Sequence, residues 1–165
     1  MKNTAAAISL ALLLFGAPAC NRRQPLSQQA APPAPPAYTP GLGEIMTLTQ
    51  MRHSKLWFAG QAGNWPLAAY ELDELKEGFD TVVTFHPTHK DAPLPISELI
   101  PKMTNAAVQE LDTAVGAKNR DKFVQAFDSL TSACNGCHQA TNFGFNVVGR
   151  PTENPYTNQR FQPPQ

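Results

Sequence analysis

Along four stretches of the chain, apolar residues recur three and four positions apart, and nowhere do β-branched residues alternate between hairpin turn signals. This period predicts helices and no paired strands. The first stretch, Leu42 to about Gly60, aligns Leu42, Ile45, Met46, Thr49, His53, Leu56 and Trp57 on one face, with Gly60 and Gly63 ending it. Asn64 is a good N-cap for the second, where Pro66 is tolerated in the first turn and Trp65, Ala68, Leu72, Leu75, Phe79, Val82 and Val83 form the inward stripe. Its other side carries Glu71, Asp73, Glu74, Glu77 and Asp80 against Lys76, which reads as a solvated acidic face. Three prolines within residues 84–95 predict a loop. The third helix starts between Ser97 and Pro101, turns Ile100, Met103, Ala107, Leu111 and Ala114 inward and stops at Gly116. After a turn near Lys118 and Asn119, the fourth puts Phe123, Phe127, Leu130, Cys134, Cys137 and His138 on one side. Two short links and one long one predict an all-α, antiparallel four-helix bundle.

The flanks follow other rules. Lys2, the apolar run from Ala5 to Phe15 and the small residues Ala17-Pro18-Ala19 before Cys20 read as an export signal over residues 1–19. The run is shorter than the roughly 20 apolar residues that a membrane span needs. Cys20 is read as a lipidation site, with ordinary cleavage after Ala19 as the alternative. Residues 20–40 are rich in proline, alanine and glutamine and suit an extended tether to a membrane surface. The globular domain is expected over residues 41–149, with an irregular C-terminal tail over 150–165. The expected location is the periplasm, free or lipid-anchored.

A chain of 165 residues allows one such domain. Its 13 basic and 13 acidic side chains cancel, and the basic ones form no stripe, so nucleic acid is excluded as an expected partner. Three cysteines cannot make a paired disulfide framework, and so they need another use.

Cys134-Asn135-Gly136-Cys137-His138 supplies it for two of them, as a C-x-x-C-H motif, the attachment signature for c-type haem. Cysteines three apart on a helix point the same way and can each bond one vinyl group of a single haem. His138, four residues after Cys134, shares their face and can reach the iron. A thioredoxin-type redox pair would need a βαβ setting, and a zinc site would need a fourth ligand, for which His86 and His89 are the only spaced pair. The motif thus points to one covalent haem c, with Cys134 and Cys137 as thioethers and His138 as proximal iron ligand.

An exported, helical chain of this size with CNGCH on its last helix resembles the class II c-type cytochromes, the cytochrome c′ and c-556 group, over about residues 42–141. The resemblance implies a four-helix bundle with haem between the first and last helices and His138 as proximal ligand. It also puts the first helix on the distal side, where Met46, Met51 and His53 can all bind iron. Met46 and His53 lie in the apolar stripe and Met51 falls off it, so His53 is the expected distal ligand or pocket residue, with Met46 next. A haem with two protein ligands suits one-electron transfer, whereas an open position suits binding of nitric oxide or carbon monoxide. The leading expectation is a monohaem electron carrier rather than an enzyme, working with a redox protein partner in the periplasm or membrane. A gas-binding protein comes next, and a peroxidase using His53 as acid-base group comes last. A homodimer is left open.

Overall fold

The computed structural model of the chain describes residues 38–90 and 92–165. The expected export signal, Cys20 and the tether as far as Ala37 lie outside the described residues. Within them the chain forms four helices, α1 (Leu42–Gln61), α2 (Trp65–Phe85), α3 (Ile96–Gly116) and α4 (Arg120–Ala140), and no strand. Among the described residues no helix is long and apolar enough to cross a membrane.

Local chemistry explains most of the boundaries. Asn64 caps α2 by accepting from the Leu67 N–H at 3.3 Å, and Asn119 caps α4 by accepting from the Lys122 N–H at 3.0 Å. Helix α1 begins at Gly41 without a side-chain cap, but Glu44 sits in its first turn, where a carboxylate favours the exposed N–H groups. The α1–α2 turn is made by Gly63 at φ 70°, a conformation that other residues adopt at a cost. Helix α3 starts one residue earlier than the expected window, because Ile96, Leu99 and Ile100 are all buried and extend the apolar stripe by a turn. Pro101 therefore lies inside the helix rather than at its start.

The helices run up and down. Arg52 meets Glu71 and Thr49 faces Gly78 between α1 and α2, while Gln61 meets Arg120 and His53 meets Thr131 between α1 and α4. In each pair the residue numbers rise along one helix as they fall along the other, which makes neighbours antiparallel. Phe123, Phe127, Leu56, Leu72, Leu75, Leu111 and Leu130 are the large, fully buried side chains of the core. Toward the end with the two short links, Trp57, Trp65, Phe123 and Phe127 pack ring against ring, with centroids 4.8 Å apart for Trp57 and Phe127 and 6.0 Å for Trp65 and Phe123. The C-terminus of α4, and with it the C-x-x-C-H motif, lies at the other end.

Two sequence expectations change here. Gly60 does not stop α1. It lies inside the helix, and its missing side chain gives Phe123 its seat, since a Cβ there would stand 2.2 Å from a ring carbon of Phe123. Glu71 does not join the solvated acidic face of α2: it is 1% exposed and pairs with Arg52 at 3.1 Å. Arg52 also reaches Glu74 at 2.7 Å and lies over the Tyr70 ring, so it neutralises a carboxylate that water cannot reach.

After α4 the chain forms no further helix or strand, yet it is bound to the bundle. Phe161 is buried and packs on Phe58, Asn64 donates to the Gln162 carbonyl, and Arg150 pairs with Asp128 while lying over the Trp57 ring.

Candidate functional site

The open end of the bundle holds a cavity of about 480 Å³, within the range of roughly 300–1,000 Å³ usual for ligand pockets. All four helices line it. Met46, Thr49 and His53 come from α1, Leu75, Phe79 and Val82 from α2, Ile100 and Thr104 from α3, and Cys134, Cys137 and His138 from α4. The wall is apolar apart from a few converging polar groups, the composition of a site for a large, mostly apolar ligand. The motif residues thus share one wall, and His53 and Met46 belong to the same cavity from the facing helix. Met51 does not line it, and its carbonyl instead accepts from the Tyr156 hydroxyl at 3.5 Å on the outer side of α1.

The motif keeps helical spacing because α4 continues through it to Ala140, closed by Thr141, whose hydroxyl donates to the Cys137 carbonyl at 2.8 Å. Cys134 and Cys137 are free thiols. Burial, with Cys137 adding to it, pushes the Cys134 thiol up to about 12, and burial also raises that of Cys137. Redox-active pairs of the thioredoxin type depend on a lowered value at one sulfur, and this surrounding works in the opposite sense. Among the described residues no group of three or more His, Cys, Asp or Glu side chains is arranged to hold a metal ion by itself.

His138 Nδ1 lies 2.6 Å from the Asn146 carbonyl oxygen, which can only accept, so Nδ1 carries a proton and any lone pair of the His138 ring is on Nε2. This is the arrangement by which metal-binding histidines are oriented.

His53 is 3% exposed, and its ring packs on Phe127 with centroids 4.3 Å apart. Its Nε2 lies 2.9 Å from the Thr131 hydroxyl oxygen, and that hydroxyl gives its own proton to the Phe127 carbonyl at 2.8 Å. Nε2 must therefore donate, which leaves the lone pair on Nδ1. Burial holds this ring neutral by lowering its pKa to about 4. Thr131 precedes His138 by seven residues, so His53 meets α4 about 10 Å nearer its N-terminus than the proximal candidate.

Sequence reasoning missed several members of this site. His89, from the proline loop, lines the cavity and packs its ring on Phe143, with centroids 5.6 Å apart. Asn135, Thr131 and the Asn146 carbonyl hold the two site histidines or the loop beside them. A backbone carbonyl has no residue signature, and hydroxyl and amide side chains at such positions look like ordinary surface polar residues. The proline-rich loop gave only a spacing for His89, not a direction.

No protein-family model matches the chain, and neither the characterised proteins nor the solved structures contain a match.

Proposed function

We propose that this chain is a monohaem c-type cytochrome, resembling class II, that carries single electrons in the cell envelope. The observation that carries the reading is the convergence of Cys134, Cys137 and His138 on one wall of an apolar cavity. The residues fit the group: two neutral thiols a helical turn apart would form the thioethers, and an imidazole with a free Nε2 would bind the iron. Leucine, isoleucine, valine and phenylalanine side chains from the other helices would pack against the macrocycle. When bound, haem supplies a one-electron couple, and the chain's part is to hold it, keep water from it and tune its axial ligands.

On the distal side, Met46 and His53 remain the two candidates. A second reading, a gas-binding protein with an open distal position, is favoured by one observation. His53 already commits Nε2 to Thr131, and its free Nδ1 is flanked by its own Cβ, a crowded approach for an iron. That favours His53 as a pocket residue and leaves Met46 as the distal ligand of a carrier or the distal side open.

Optical spectra separate the two. A carrier gives a low-spin spectrum in both oxidation states that carbon monoxide leaves unchanged. Met46→Ala then converts it to a high-spin, carbon monoxide-binding form while His53→Ala does not. A wild-type protein already high-spin when reduced, and binding carbon monoxide, would replace the carrier by the gas-binding reading.

A further inference from the structure

The two residues between the cysteines of a C-x-x-C-H motif have no required chemistry, yet Asn135 here makes two hydrogen bonds to one distant residue. Its Nδ2 donates to the Val148 carbonyl and its Oδ1 accepts from the Val148 N–H, each at 2.8 Å. The side-chain amide thus pairs with the backbone as a neighbouring strand would and satisfies both polar groups of Val148. Between anchor and helix, residues 142–147 turn back over the end of α4. The Phe143 N–H donates to the His138 carbonyl at 2.7 Å, the Asn146 N–H donates to the Phe143 carbonyl at 2.8 Å, and the Asn146 carbonyl receives the His138 Nδ1 proton. Phe145 and Val147 point outward, 83% and 74% exposed, so they give the loop no apolar anchor. Asn135 and His138 are three apart on α4, neighbours on its surface, and hold the loop from adjacent points.

We propose that Asn135 is a positioning residue for His138: by clamping Val148 it holds the Asn146 carbonyl on His138 Nδ1. This rests on the reading of His138 as iron ligand, but the clamp itself does not depend on a cofactor. A hydrogen bond from Nδ1 to a carbonyl raises the basicity of Nε2 and fixes the ring's rotation. A more basic ligand favours oxidised iron, so the clamp lowers the reduction potential.

The test compares Asn135→Ala with Val147→Ala in the full, exported protein. Val147 is an exposed loop side chain outside the cavity and takes no part in the clamp, so a loop disturbed in general would respond to both substitutions, whereas the clamp is lost only in the first. Expected for Asn135→Ala are faster amide hydrogen exchange at Val148 and Asn146, faster exchange of the His138 Nδ1 proton, and a higher reduction potential at unchanged haem content. Val147→Ala should keep wild-type values, and Asn135→Asp, which still accepts from the Val148 N–H, should recover part of that amide's protection. Unchanged exchange at Val148 and at His138 Nδ1 in Asn135→Ala overturns the clamp whether or not haem is present. Equal shifts in both alanine variants overturn it as well. Absence of covalent haem from the wild type would instead remove the proposed function, and the exchange measurements would still decide for or against the clamp.

Discussion

Replacing Gly60 by alanine sets two effects of opposite sign against each other. In a helix interior, alanine is favoured over glycine by about 1 kcal/mol, so propensity alone predicts stabilisation. The added Cβ, however, would stand 2.2, 2.3 and 2.6 Å from three ring carbons of Phe123, where carbon contacts ordinarily lie at about 3.5–4.0 Å. The ring would have to retreat by more than 1 Å. Phe123 is fully buried, with Trp57, Trp65 and Phe127 around it at centroid distances of 6.4, 6.0 and 6.0 Å. With three aromatic rings packed around it, the overpacking cost falls at the upper end of the usual range, about 3 kcal/mol, and exceeds the propensity gain. The expected net loss is about 2 kcal/mol, read as a lower urea midpoint and, at about 4 °C per kcal/mol for a domain of this size, a Tm lower by roughly 8 °C. In a Phe123→Leu background the shorter side chain leaves room for the methyl, and Gly60→Ala should become neutral or stabilising. Stabilisation by Gly60→Ala in the wild-type background would refute the seating of Phe123 on α1.

Three further outcomes follow from the same contacts. Arg52→Ala should lower stability by about 3 kcal/mol, because it strands the buried Glu71 carboxylate, whereas the double replacement Arg52→Met with Glu71→Met should recover most of that loss. Equal urea midpoints for Arg52→Ala and wild type would show that the pair is not what keeps Glu71 inside. Since burial lowers the His53 pKa to about 4 from an ordinary 6.5, the unfolded chain binds the extra proton first as pH falls. Stability is therefore complete above about pH 6.5 and loses about 3 kcal/mol by about pH 4, a loss that His53→Phe should remove from the difference between urea melts at those two pH values; parallel pH profiles for variant and wild type would contradict it. Thr131→Val deprives His53 of its acceptor while keeping shape, so it should destabilise by about 1–2 kcal/mol, and more than Thr113→Val on the exposed face of α3, in thermal melts at neutral pH.

The helices were legible because their apolar stripes are long and the cap at Asn64 is a strong local signal. Periodicity also put Ile45, Thr49, His53 and Leu56 on the buried face of α1, where they are found. It misplaced Glu71, because a carboxylate beside Asp73 and Glu74 looks solvated until Arg52, nineteen residues earlier in the chain, is brought against it by the α1–α2 turn. It took Gly60 for a helix stop, because the ring that needs the space comes from α4, more than sixty residues later. At the site, Cys134, Cys137 and His138 could be named from spacing, and His53 and Met46 from periodicity together with the family resemblance. The groups that orient them could not, since they are backbone carbonyls and small polar residues whose partners are set only by the fold.

The measurement that tests the account most directly is the intact mass and denaturing-gel haem stain of the exported chain, produced in cells with a working c-type maturation system. The account predicts one haem bound covalently per chain, staining that survives denaturation, and its loss when Cys134 and Cys137 are both replaced by alanine. A wild-type chain with the mass of the bare polypeptide and no stain, from cells that mature another c-type cytochrome normally, would contradict it.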